Sequence, residues 1–158
     1  MMDIEIREMD EATYAGVDHA GPYAGIGEAF GRLMQLAGPA GLVHGPPETF
    51  GIYYDDPRAT PEDQLRSRAC LVVPPGTEVD PASGLVVGMR AGGAYAVATH
   101  RGSYAHLAAA WAWFVDEWMP GHGHTINLEL PCFERYLNDP GHTPDEELLT
   151  ELCEPVTG

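Results

Sequence analysis

The sequence contains no lysine. Its eight basic residues are all arginine, they stand against 24 acidic ones, and the net charge is −16. Such a chain cannot assemble the cation cluster that releases counterions from a phosphate backbone, so direct nucleic-acid binding is not expected. Anionic membrane surfaces are disfavoured for the same reason. No apolar run approaches the roughly 20 residues of a membrane-spanning helix. The opening stretch MMDIEIREMDEATY lacks the pattern of a secretory signal. Cysteine is scarce: Cys70, Cys132 and Cys153 are widely spaced and form no CxxC pair. That argues against a disulfide framework or a zinc site and reads as mostly buried thiols in a reducing cytoplasm. Seven histidines are present, but no HExxH and no cysteine partner completes a tetrahedral set. His19 and His100 read instead as strand-end residues ahead of a turn glycine. There is no GxxxxGK[ST], no GxGxxG in a strand-to-helix setting and no GxSxG elbow. No metal and no cofactor are expected.

What the chain does have is 158 residues, 44% of them hydrophobic and 20% charged, enough for one domain or two small halves with a real core. It also repeats itself. TYAGVDHAGPYAGIGEAFGRL (13–33) aligns with AYAVATHRGSYAHLAAAWAWF (94–114), matching Tyr14 with Tyr95, His19 with His100, Gly21 with Gly102 and Tyr23 with Tyr104. YYDDPRATPEDQL (53–65) aligns with YLNDPGHTPDEEL (136–148), matching Asp56-Pro57 with Asp139-Pro140 and Thr60-Pro61 with Thr143-Pro144. Cys70 then meets Cys153. Aromatics, a histidine and two turn motifs in register indicate a duplication. The expectation is a single domain over 1–158, with repeat one at about 3–74, a linker at about 75–84 and repeat two at about 85–157.

Each copy reads as strand, helix, strand, strand. The opening strands run from Ile4 to about Val17, bent near Asp10, and from Leu85 to about Thr99, with Ile4 and Ile6 alternating as in a half-buried strand. Pro22 suits a first helical position and Ser103 an N-cap. The stripes Tyr23, Ile26, Phe30, Leu33, Ala37 and Tyr104, Leu107, Trp111, Phe114, Trp118 each bury one helix face. PETFGIYYDDP and LPCFERYLNDP follow as strands ended by Asp-Pro turns; RACLVVPP and ELLTELCEPV are the last strands. The fold class expected is α+β: a pseudo-two-fold duplication of a βαββ unit, a largely antiparallel sheet with two helices on it and a ligand groove between the repeats.

Differences between the copies are informative. Phe50 corresponds to Phe133 and Tyr53 to Tyr136, but Gly51 corresponds to Glu134. A mid-strand glutamate is mildly disfavoured. It reads either as a solvent-facing residue, paired with Arg135 or another arginine, or as a carboxylate at the base of an aromatic pocket. In a pocket it can neutralise a cation or act as a general base. Along the strand Glu134 and Tyr136 share one face, Phe133 and Leu137 the other. The stripe Tyr104, Trp111, Trp118 reads as core. Trp113 lies off it, opposite Arg32 of the first copy, either packed under a loop or walling a ligand. Flat aromatic faces near a carboxylate suit lipophilic cations.

DHAGPYAGIGEAFGRL, FGIYYDDP with TPEDQLR, HRGSYAHLAAAW, EWMPGHG and PCFERYLNDP together resemble the GyrI-like small-molecule-binding family, also the effector-binding domain of multidrug-responsive transcription activators. The resemblance covers roughly residues 3–156. It implies a groove for bulky, often cationic, aromatic compounds, with Glu134 of the FExY motif as the buried ligand-facing acid. Some family members are fused to a DNA-binding helix-turn-helix, some are associated with gyrase inhibition, and some hydrolyse cyclopropane-bearing DNA-alkylating toxins with the corresponding glutamate. The expectation for this chain is a stand-alone cytoplasmic bacterial binder of hydrophobic, planar or cationic drugs or toxins. Glu134 is its anchor, with Tyr136, Phe133, Trp113, Tyr14, Tyr54, Tyr95 and Phe50 as walls. The alternative enzyme uses Glu134 as general base with Tyr136 positioning the water. A gyrase-directed acidic surface, or a separate DNA-binding subunit as partner, ranks last.

Overall fold

Asp10 does more than bend the opening strand. In the computed structural model, which describes residues 2–157, the strand breaks into β1 (Asp3–Met9) and β2 (Ala12–Ala20), and the two halves pair with different partners. The second opening strand breaks likewise into β5 (Val86–Arg90) and β6 (Gly93–Arg101). β1 runs antiparallel to β6, pairing Ile4 with Ala98, while β5 runs antiparallel to β2, pairing Val87 with Ala15. Backbone pairing is blind to side chains, so the bend alone leaves a strand's partner open.

The chain divides into two compact units: residues 10–92, and the first strand together with the chain from Gly93 onward. The first unit holds α1 (Ile26–Ala37), β3 (Thr49–Tyr53) and β4 (Arg66–Val72), in sheet order β3-β4-β2-β5. The second holds α2 (Leu107–Trp113), β7 (Cys132–Tyr136) and β8 (Leu149–Pro155), in sheet order β1-β6-β8-β7. The strand pairs within each unit are antiparallel. The architecture is α+β, as the sequence predicts; each unit contains a strand–helix–strand–strand run, with one further strand that follows it in the first unit (β5) and precedes it in the second (β1).

Local chemistry explains the matching turns. Gly21 and Gly102 follow the long strands with φ of 108° and 131°, a region that only glycine enters readily. Their amides donate to the Leu65 and Leu148 carbonyls, both at 2.8 Å. Each helix then begins with a short 3-10 turn. Ser103 caps one with its side chain, as expected, whereas Pro22 stands one residue ahead of the helical turn rather than inside it. In the Asp-Pro turns, Asp56 Oδ1 accepts from the Arg58 amide and Asp139 Oδ1 from the Gly141 amide, each at 2.8 Å. The last turns of the α2 helix widen into a π-helical stretch, Phe114–Trp118. Pro120 lies just beyond, and its ring would clash with the Asp116 carbonyl in a regular helix.

Each helix covers one face of its own sheet. Leu33, Ala29 and Ala37 of α1 bury against Ala15, Val17, Ala69 and Leu71. Leu107 and Phe114, with Met119, bury against Ala96, Ala98, Leu152 and Val156. Among the described residues no helix is long and apolar enough to cross a membrane.

Candidate functional site: a buried glutamate under an aromatic roof

The register of β7 on β8 sets which side chains face α2. Glu134 pairs with Leu152, a core residue under the helix, and Tyr136 pairs with Thr150. With the two-residue period, Cys132, Glu134 and Tyr136 therefore face the helix together with Thr150, Leu152 and Glu154. Phe133 and Arg135 face the opposite way.

Glu134 is only 5% exposed. The Trp111 indole N–H donates to its Oε2 at 2.6 Å, and the Tyr136 hydroxyl donates to its Oε1 at 2.8 Å. Both are hydrogen bonds to an ionisable acceptor, the stronger kind, yet neither donor brings a positive charge. Tyr104 completes the surround, its ring centroid 5.7 Å from that of Tyr136. Burial, and then the charge of Glu134, hold the Tyr104 phenol above its ordinary pKa. The result is a desolvated acid oriented by neutral aromatic donors, a setting that favours a diffuse organic cation or an acid–base role.

The arginine next in sequence is engaged on the other face of the sheet. Arg135 Nη1 donates to Glu151 Oε1 at 2.5 Å on the other face, and Arg7 Nη1 meets Glu151 Oε2 at 2.9 Å. Of the two sequence readings for Glu134, the buried position is the one the fold adopts.

The remaining residues nominated from sequence fall into three groups. Phe133 and Tyr95 pack edge to face at 5.2 Å on the opposite face of the same sheet. Tyr14, Phe50 and Tyr54 belong to the other unit. There Tyr14 and Phe50 meet edge to face at 5.6 Å, and Arg68 Nη1 donates to the Tyr14 hydroxyl at 2.8 Å. The Arg68 guanidinium also lies 5.9 Å from the Tyr54 ring centroid. Burial pushes the Tyr54 phenol up to about 12. Trp113 lines a cleft of about 870 Å³ with His100, Arg101, His106 and Leu149, a lining that does not include Glu134. The tryptophan on the acid is thus Trp111, which the helical stripe assigns to the core. Its indole N–H was the available signal, since a half-buried tryptophan requires an acceptor. His19 and His100 do end their strands, each ring nitrogen within 3.1 Å and 3.4 Å of the Pro22 and Ser103 carbonyls.

A model of the GyrI-like small molecule binding domain matches residues 2–157. The chain belongs to this GyrI-like family. A relative from Erwinia billingiae (strain Eb661), named DNA gyrase inhibitor, is 30% identical over 158 residues, covering 99% of this chain and 98% of its own. The C-terminal domain of EcmrR superposes with a TM-score of 0.83 at 17% identity, covering 99% of this chain and 98% of that domain. The chain spans 57% of the longer EcmrR chain seen in complex with DNA. SAV2435 bound to tetraphenylphosphonium superposes with a TM-score of 0.64 at 17% identity, covering 99% of this chain and 95% of that one. These structural likenesses establish the GyrI-like fold for this chain.

Proposed function

We propose that this GyrI-like chain binds bulky hydrophobic, planar or cationic small molecules, drugs or toxins, with Glu134 as the polar anchor. The observation that carries the reading is the Glu134 carboxylate, buried and oriented by Trp111 and Tyr136 beside the Tyr104 ring. Delocalised organic cations are weakly hydrated, so they reach a buried acid with little dehydration cost, and aromatic faces add about 0.5–2 kcal/mol each. The tetraphenylphosphonium carried by SAV2435 is a ligand of this chemistry. The site operates in the cytoplasm, where cysteines such as Cys70, Cys132 and Cys153 remain thiols rather than disulfides. Titration of rhodamine 6G by fluorescence polarisation tests the anchor. Glu134→Gln binds at least about tenfold more weakly, the equivalent of 1.4 kcal/mol; equal affinity refutes the role.

The hydrogen bond from Tyr136 to Glu134 supports a second reading, in which the pair opens a strained cyclopropane ring. Tyr136 positions a water and Glu134 takes its proton as the oxygen bonds to the electrophilic ring carbon. The ring C–C bond breaks, its electron pair passes to the electron-accepting group conjugated to the ring, and the proton held by Glu134 is delivered there, so that one water is added in all. Mass analysis after incubation with a cyclopropane-bearing alkylator separates the two readings. A product one water heavier, absent with Glu134→Gln, indicates turnover; retention of intact compound indicates binding alone.

The name of the Erwinia relative supports a third, an acidic surface engaging gyrase. Unchanged supercoiling by gyrase at large excess of this protein removes it.

A further inference from the structure

A second acid lies on the helix-facing surface of the same sheet. Glu154 of β8 is only 7% exposed, and burial is the influence that acts on its carboxyl. Its neighbours along the strand, Leu152 and Val156, belong to the core cluster under α2, and its partner on β6 is Ala96. Extending the β7–β8 register by one residue sets Glu154 opposite Cys132 and diagonal to Glu134. Diagonal neighbours in an antiparallel pair lie within about 8 Å of each other. The titratable groups facing Glu154 are therefore Cys132 and Glu134 on β7. The core residues around it from β6, from its own strand, from the α2 helix and from the segment ahead of β7, where Ile126 bridges Val156, are apolar. Cys132 reports the crowding, because burial and then the charges of Glu154 and Glu134 drive its thiol well above the ordinary value.

Nothing in the fold requires an acid there. Phe50 pairs with Cys70 on β4 in the same way that Phe133 pairs with Cys153 on β8. The residue that follows Cys70 is Leu71, a core side chain with 1% exposure. The residue that follows Cys153 is Glu154. A buried acid where leucine would serve is destabilising unless something else uses it.

We propose that Glu154 is a second carboxylate of the Glu134 site, which gives up its proton when an organic cation binds. The inference rests on the small-molecule reading above. Burial raises the Glu154 carboxyl to about 7, so near neutrality it is part protonated and able to make this exchange.

Tetraphenylphosphonium and rhodamine 6G are the probes, titrated at pH 6 and pH 8 against wild type, Glu134→Gln and Glu154→Gln. Wild type gains about tenfold in affinity between these pH values, following the deprotonated fraction of a group near 7. Glu154→Gln is flat with pH and weak at both. Glu134→Gln is weaker than wild type but keeps the pH dependence. Calorimetry of the wild type at pH 7 in two buffers of different ionisation enthalpy shows about half a proton released per cation bound. That measurement stands if the variant fails to fold. Binding that is flat with pH and releases no proton overturns the role of Glu154 while leaving the Glu134 anchor in place. Absence of binding by either probe at both pH values overturns the small-molecule reading itself.

Discussion

Trp111 reaches from α2 to the sheet and places its indole N–H 2.6 Å from Glu134 Oε2. One hydrogen bond thereby ties a helix to a strand and fixes the direction of a buried acid. Its removal leaves an acceptor without its donor, which costs about 1–3 kcal/mol. Trp111→Phe keeps most of the ring volume, so urea denaturation of this variant reads chiefly the lost bond. In a double-mutant cycle with Glu134→Gln the effects are non-additive; strict additivity would separate the two residues.

Glu154 makes stability fall with rising pH. Its folded carboxyl is raised to about 7 from the ordinary 4.5, so between those values the folded chain holds a proton that the unfolded chain has released. The sign is therefore negative: the stability present below about pH 4.5 is lost as pH climbs to about 7. Glu154→Leu, the residue at the corresponding place in β4, removes this dependence. Relative to wild type it gains on the order of 2–3 kcal/mol more at pH 8 than at pH 4. Parallel stability curves for the two proteins from pH 4 to 8 would refute the assignment.

The Arg7–Glu151–Arg135 triad lies on the face away from Glu134. Arg135→Ala leaves the buried Glu151 with Arg7, at a cost of about 1–3 kcal/mol in thermal or chemical denaturation. Cation affinity measured on the folded variant stays within twofold of wild type. A large affinity loss would mean that the opposite face also takes part in binding.

Gly88 of β5 lies beneath the Tyr14 hydroxyl, and a methyl group there would collide with the phenol. Gly88→Ala therefore destabilises the unit by about 1–3 kcal/mol. Gly88→Ala combined with Tyr14→Leu recovers part of that loss relative to Tyr14→Leu alone. Without recovery, the collision is not the cause.

Much of the site was legible because strand geometry has a period of two. Glu134 and Tyr136 had to share a face, and Phe133 the other, once FERY was read as a strand. The comparison that exposed Glu134, glutamate against Gly51, also held Glu154 against Leu71 one strand further on. Its signal was present but weaker, since the ELLTELCEPV stretch carries several acids and only one of them lies among core leucine and valine. Trp111 was visible as a buried stripe residue and not as a donor. A helical stripe tells which face turns inward, whereas the atom that an indole meets depends on the neighbouring strand's position.

By itself the sequence determined the α+β character, the turn glycines and Asp-Pro turns, the poverty in cations and the acid within an aromatic strand. Each of these follows from periodicity, local backbone preference or composition, which act over a few residues. Tertiary structure alone decided that β1 joins β6 and β5 joins β2, that Arg135 turns to Glu151, and that Trp111 rather than Trp113 meets Glu134. Those outcomes depend on contacts between residues far apart in the chain. Backbone pairing and side-chain hydrogen bonding there are settled by which groups the packed core brings within about 3 Å.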